Sequence, residues 1–151
     1  MKVVRIYADT SVFGGVFDEE FSEASKKFFD AAGRNKFKIV TSAVVSEEIS
    51  EAPSEVIKLF HKALVFCEIA GVSEEAIKLQ GRYIQEGIVS PQYYDDALHV
   101  AVATVSECDC IVSWNFKHIV NYHKIPQYNA VNVLNGYKNI SIYSPLEVIY
   151  D

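Results

Sequence analysis

The run Val3-Val4-Arg5-Ile6-Tyr7-Ala8 stops abruptly at Asp9-Thr10-Ser11, and that junction limits what the chain can become. β-Branched, aromatic and small residues broken only by Arg5 read as a strand buried on both faces. Such strands belong to parallel sheets whose faces are covered by helices. In open α/β sheets ligands bind at the carboxyl ends of the strands. An acid followed by two hydroxyl residues therefore lies where an α/β protein keeps its chemistry. Asp9 or Thr10 also suits a helix cap, because short polar side chains accept the free N–H groups of a first turn. Both roles stand on this stretch alone.

The rest of the chain repeats the strand-then-helix rhythm. Residues 13–17, with Gly14-Gly15, read as a turn or short irregular helix. Residues 21–34 carry Ala24, Phe28, Phe29 and Ala32 at helical spacing, and Gly33 and Asn35 suit the end of that helix. A second strand is expected within residues 36–42, centred on Phe37-Lys38-Ile39-Val40-Thr41. Residues 43–52 read as a helix stopped by Pro53, which can open the next one, reaching about Phe66. Residues 73–87 form an amphipathic pattern with Ala76, Leu79, Tyr83 and Ile84 as its apolar stripe.

Ser90-Pro91 predicts a helix start, a capping serine before proline at the first position, running to about Glu107. Residues 109–113 are the third strand, with Ile111-Val112 at its centre, and residues 114–122 are expected to turn back helically. Ser141-Ile142-Tyr143 reads as a last edge strand, followed by the capping box Ser144-Pro145-Leu146-Glu147. No repeat, low-complexity tract or linker interrupts the pattern. Alternating strands and helices predict an α/β fold, a three-layer α/β/α sandwich on a central parallel sheet, as a single domain over residues 1–151.

Length and charge narrow the field. A chain of 151 residues buries roughly 70% of its unfolded surface, enough for one core. Met1-Lys2 leads straight into the first strand, which leaves no room for a signal peptide, and no apolar run spans a membrane. Three cysteines without a secretory context point to reduced thiols and a cytoplasmic protein. Cys108-Asp109-Cys110 is too closely spaced for a closed zinc site. A net charge of −6 argues against a surface that grips nucleic acid everywhere.

Several acids stand beside expected strand ends. Glu47 and Glu48 lie on the helix after the second strand, Asp95 and Asp96 in the early turns of the long helix, and Ser113 and Asn115 after the third strand. Singly, each is ordinary: an acid near a helix N-terminus gains ~0.3–1 kcal/mol, and asparagine after a strand is turn chemistry. Jointly, chain crossovers would bring them to one edge of the sheet. Carboxylates gathered there repel one another unless a cation sits among them, and hard oxygen donors suit Mg²⁺ or Mn²⁺.

These residues resemble the PIN domain nucleases, the VapC-like ribonucleases, along nearly the whole chain. Ile6-Tyr7-Ala8-Asp9-Thr10-Ser11 is similar to the family's opening strand with its acid and hydroxyl pair. Val44-Val45-Ser46-Glu47-Glu48-Ile49 resembles the second acidic segment, in a register that selects Glu48. Asp96-Ala97-Leu98-His99-Val100-Ala101 resembles the third and selects Asp96. Ile111-Val112-Ser113-Trp114-Asn115-Phe116 resembles the fourth, where many members carry Asp and this chain has Asn115.

The resemblance implies a PIN-like fold and metal-dependent hydrolysis of RNA phosphodiester bonds, with Asp9, Glu48, Asp96 and Asn115 as the catalytic set. Asp9 and Asp96 would hold Mg²⁺ or Mn²⁺, and Glu48 would bind it directly or through water. Thr10, Ser11 and Ser113 would orient those groups from behind. Asn115 keeps an oxygen but no charge, which weakens the case for a second ion. His99, one turn past Asp96, reads as a packed, hydrogen-bonded histidine. Lys117, His118, His123 and Lys124 could meet phosphates, and Tyr93, Tyr94 and Trp114 could stack bases. An antitoxin protein and a homodimer follow from the resemblance alone. Two rivals are a PIN-fold binding module without effective metal binding, and an aspartyl-nucleophile phosphatase. The latter commonly wants Asp where Ser11 stands.

Overall fold

Three apolar pairs set the sheet: Ile6-Tyr7 lies in register with Ile39-Val40 on one side, and on the other Ile111-Val112 pairs with Tyr7-Ala8. The computed structural model describes residues 2–149; Met1, Tyr150 and Asp151, the ends of the expected 1–151 domain, lie outside the described residues. The strands β1 (Arg5–Ala8), β2 (Lys38–Ser42), β3 (Cys67–Ala70), β4 (Cys110–Val112) and β5 (Ser141–Tyr143) form one sheet in the order β3-β2-β1-β4-β5. Every pairing is parallel. Around it lie α1 (Thr10–Gly15), α2 (Ser22–Gly33), α3 (Ala43–Ile49), α4 (Ser54–Ala63), α5 (Glu74–Gln85), α6 (Tyr94–Val105) and α7 (Lys124–Leu134). This is the α/β/α sandwich on a parallel sheet that the alternation of strands and helices predicts.

The order of the strands decides where a site can form. The chain fills one side of β1 with β2 and β3, then crosses to the other side with β4 and β5. The crevice at that switch lies outside the carboxyl ends of β1 and β4. Asp9 leaves β1 there, and Ser113 leaves β4 beside it. α6 covers the sheet closely: Ala97 and everything from His99 to Thr104 is buried, which small and β-branched residues permit. The other core residues of largest volume include Tyr7, Tyr83, Phe13 and Phe28.

Several local expectations are corrected. Val3 and Val4 lie outside β1 and are 59% and 47% exposed, because the pairing with β2 begins at Arg5 opposite Lys38. Arg5 itself is held by Glu68 of β3 and by the carbonyls of Ser106 and Glu107. The helix expected from Ser90-Pro91 starts as a 3₁₀ turn, Pro91–Tyr93, and Ser90 makes no side-chain cap bond. Residues 114–122 form no helix; both Ile119 and Val120 donate their N–H to the Asn115 carbonyl, closing one turn on that residue. β3 and α7 were not legible: Cys-Glu-Ile-Ala lacks alternation, and α7 carries Pro126, Asn129 and Asn132. The Ser144–Glu147 capping box is present.

Candidate active site

Asp9 occupies the N-cap position of α1 with extended backbone, yet its side chain makes no cap hydrogen bond. The carboxylate reaches across to β4 instead. Ser11 Oγ donates to Oδ1 at 2.6 Å and Ser113 Oγ donates to Oδ2 at 2.5 Å. Backbone groups aim both hydroxyls: the Trp114 N–H donates to Ser11 Oγ and the Asn115 N–H to Ser113 Oγ, each at 2.9 Å. A hydroxyl that accepts from an N–H has its proton left for the carboxylate. Asp9 is 4% exposed. Burial pushes its carboxyl above the usual range, against the opposing pull of His99 and the two serine hydroxyls.

Glu48 stands on α3 and is half-buried, whereas its neighbour Glu47 is exposed. Thr10 Oγ1 donates to Glu48 Oε1 at 2.7 Å, and His99 Nε2 meets the same oxygen at 2.5 Å. The other ring nitrogen of His99 meets the Tyr7 hydroxyl at 2.8 Å, which also meets Ser42 Oγ at 2.8 Å. A polar thread thus runs from the interior of the sheet to Glu48. Burial pushes the Glu48 carboxyl up, but the His99 hydrogen bond and charge and the Thr10 hydroxyl outweigh it and hold it low. Burial pushes His99 down, but the Glu48 hydrogen bond and the charges of Asp9, Glu48 and Asp96 carry it up.

Asp96 lies in the first turn of α6. Burial raises its carboxyl, offset in part by a hydrogen bond from the Asn115 side chain and by the charges of His118 and His99. Asn115 Oδ1 accepts the His118 N–H at 2.9 Å. With its oxygen so engaged, the carboxamide offers Asp96 its NH₂ group. An aspartate at this position would instead face Asp96 with a second acceptor.

Asp9 and Asp96 share their electrostatic surroundings: Glu48 pushes both up and His99 pulls both down. Among the described residues, no lysine or arginine forms an ion pair with Asp9, Glu48 or Asp96. Glu48 lines a cavity of about 350 Å³ together with Glu47, Glu51, Tyr94 and Asp95, and neither Asp9 nor Asp96 is part of that lining. The donors are oxygens only, which suits a hard divalent cation. Among the described residues no three acid, histidine or cysteine side chains already converge as an ion cage. A Mg²⁺ site built on one or two carboxylates and completed by waters is the form this donor set fits.

The sequence reading set Thr10, Ser11 and Ser113 together behind the carboxylates without assigning partners; the structure gives Ser11 and Ser113 to Asp9. The sequence reading did not find that Thr10 serves Glu48, nor that Tyr7 and Ser42 stand behind His99. The i, i+3 spacing of Asp96 and His99 was the available signal. Trp114 is not open to a base: it is 7% exposed, and its Nε1 donates to Ser25 Oγ at 2.8 Å.

No protein-family model matches the sequence, and no curated protein matches it. Solved structures do. VapBC2 from Rickettsia felis, bound to a DNA fragment from its promoter, aligns with a TM-score of 0.61 at 15% identity over 92% of this chain and 97% of that one. FitAcB from Neisseria gonorrhoeae aligns at 0.60 and 12% identity, over 95% and 99%. VapC20 of Mycobacterium tuberculosis, a sarcin–ricin loop cleaving toxin, aligns at 0.58 and 10% identity, over 89% and 98%. The chain has the PIN-domain fold of VapC-like proteins. Among the described residues no helix is long and apolar enough to cross a membrane.

Proposed function

We propose that this protein is a Mg²⁺- or Mn²⁺-dependent ribonuclease that hydrolyses RNA phosphodiester bonds. What supports the reading is that Asp9 leaves β1 at the switch-point edge of the sheet, and that the charge of Glu48 is felt by both Asp9 and Asp96. Among the described residues none of the three is paired with lysine or arginine. One protein of the same fold is described as a sarcin–ricin loop cleaving toxin. Asp9 and Asp96 would hold the ion, with Glu48 binding it directly or through water. When bound, such an ion lowers the pKa of a water and offsets charge growing on the phosphate. Ser11 and Ser113 fix the plane of the Asp9 carboxylate. Thr10 and His99 hold Glu48 by Oε1, and Asn115 steadies Asp96.

The test is cleavage of purified RNAs with Mg²⁺, Mn²⁺ or EDTA, beside an Asp9→Asn/Asp96→Asn double variant. Cleavage in metal that disappears in EDTA and in the double variant supports the proposal. Cleavage that survives either one overturns it. We also propose a cytoplasmic toxin held by an antitoxin, since the structural relatives VapBC2 and FitAcB are two-protein complexes, and a homodimer. Copurification from the native host and light scattering test these two points.

The amide that Asn115 turns toward Asp96, in place of a charge, favours a second reading, a binding module with weak ion affinity. Calorimetric titration with Mn²⁺ separates the two: no heat of binding and no cleavage would select the module.

A further inference from the structure

We infer that Tyr7 is a positioning residue: through His99 it fixes Glu48 so that Oε2 alone is left for an ion or its water. The ion rests on the ribonuclease reading; the hold on Glu48 is a property of the chain and is measured without metal.

The hydrogen bonds run in a loop that begins at the N-cap of α3 and ends in its last turn. Ser42 stands at that cap with extended backbone, the usual place for a capping hydroxyl, yet its side chain makes no cap bond. Its Oγ lies 2.8 Å from the Tyr7 hydroxyl instead. That hydroxyl lies 2.8 Å from His99 Nδ1, and His99 Nε2 lies 2.5 Å from Glu48 Oε1. A helix of seven residues has little stability of its own, so what ties its two ends sets where its acid points. The phenol is the link supplied by β1, the strand that also delivers Asp9.

The direction of each bond follows from the donors. An ionised carboxylate only accepts, so the proton between His99 and Glu48 sits on Nε2. Thr10 Oγ1 gives a second proton to the same oxygen at 2.7 Å. Oε1 is thereby occupied from two sides, and among the described residues Oε2 accepts no hydrogen bond. A neutral His99 takes the Tyr7 proton on Nδ1. Where Nδ1 has its own proton, the phenol accepts it and turns its O–H toward Ser42 Oγ. Burial pushes the Tyr7 phenol well above its usual value, so its proton stays in the loop. Which histidine nitrogen is protonated is set by the bond the other one makes. With phenylalanine at position 7 a neutral His99 could carry its proton on Nδ1, and Nε2 would then set a lone pair against Oε1.

The experiment compares the wild type, Tyr7→Phe, Glu48→Gln and the double variant. Tyr7→Phe keeps the ring that packs 5.7 Å from the His99 ring and removes the hydroxyl alone. Proton–nitrogen NMR of ring-labelled histidine, without metal, reads the His99 Nε2–H, assigned by its loss in His99→Gln. In the wild type a downfield proton slow to exchange is expected, since the side chain is 2% exposed. In Tyr7→Phe it should exchange about tenfold faster, the effect of one lost hydrogen bond. Calorimetry reads Mn²⁺ affinity, which Tyr7→Phe should lower about tenfold, the low end for a contact behind a metal ligand. In the Glu48→Gln background the same change should cost nothing more, because Tyr7 acts through Glu48. A wild-type spectrum with no protected Nε2–H would overturn the inference before any variant is made. So would an unchanged ring proton or wild-type affinity in Tyr7→Phe. An equal loss with and without Glu48 would overturn it too, and is what a purely structural role gives. If Mn²⁺ fails to bind the wild type or Glu48→Gln, the ring proton alone decides the hold on Glu48. Failure in the wild type would also remove the ion from the ribonuclease reading.

Discussion

His99 Nε2 and Glu48 Oε1 meet at 2.5 Å, with the histidine side chain 2% exposed and the glutamate 32%. The pair joins the interior of the sheet to the half-buried Glu48 carboxylate, because the second ring nitrogen of His99 rests on the Tyr7 hydroxyl. Its dependence on pH has two limbs. His99 is raised, so its share of stability is full below the unfolded value near 6.5 and fades as pH rises through the folded value. Glu48 is lowered, so its share is full above its unfolded value near 4.5 and fades as pH falls through the folded one. Urea midpoints should therefore be highest in the mildly acidic to neutral range and decline on both sides. His99→Ala should cost about 1–3 kcal/mol by stranding Tyr7 and Glu48 and remove the alkaline limb. A midpoint that rises steadily through pH 8 in the wild type would contradict the pairing.

The two serines on Asp9 act in sequence: backbone N–H groups hold the hydroxyls, and the hydroxyls hold the carboxylate. Ser113→Ala leaves the buried Asp9 Oδ2 and the Asn115 N–H without that partner. Supporting contacts behind a metal ligand are worth roughly 10–100-fold in affinity or activity. Ser11→Ala and Ser113→Ala should each weaken Mn²⁺ binding in that range by calorimetry, and Ser46→Ala, whose residue is exposed on α3, should not.

Much of this was legible from apolar runs and their endings. Ile6-Tyr7-Ala8 and Ile111-Val112 are short, apolar and followed by polar residues, and both are strands whose ends meet at the crevice. Glu48 separates from Glu47 because α3 leaves Glu47 exposed and Glu48 half-buried, whereas Asp95 and Asp96 are both half-buried; the choice of Glu48 and Asp96 came from the resemblance and not from periodicity. β3 was hidden because its exposed Ile69 and half-buried Cys67 and Glu68 mark an edge strand without a two-residue period. α7 was hidden because only Tyr128, Val131 and Asn132 are buried on it. The role of Thr10 was hidden by distance: its partner Glu48 is 38 positions away, and no local pattern encodes that contact.

Asn115 can be tested by returning a charge. Asn115→Asp keeps an acceptor for the His118 N–H but turns a second carboxylate oxygen toward Asp96, where the carboxamide had donated. Without metal, like charges so placed repel, and the variant should melt below the wild type. With Mn²⁺ in excess the order should reverse, because the added charge strengthens ion binding and ligand binding raises stability by mass action. Thermal melts with and without Mn²⁺ read both halves. A variant less stable than the wild type in both conditions would show that position 115 does not face the ion.

Gly15 sets how closely α1 approaches the seat of Trp114. A Cβ added there would lie 2.5 Å from Ser25 Oγ and 2.7 Å from Trp114 Nε1, and both partners are enclosed, at 0% and 7% exposure. Alanine gains about 1 kcal/mol over glycine inside a helix. Forcing a methyl into a filled core costs about 1–3 kcal/mol, and here it also parts the Trp114–Ser25 hydrogen bond, so the cost should win. Gly15→Ala should lower the melting temperature and shift Trp114 emission as the indole loses its partner. Ser25→Ala in the same chain removes the nearer of the two clashing atoms and should recover part of the stability. It should not recover the emission, since the hydrogen bond stays broken. A single Gly15→Ala variant as stable as the wild type, with unchanged emission, would mean that the indole is not held where its bond to Ser25 places it.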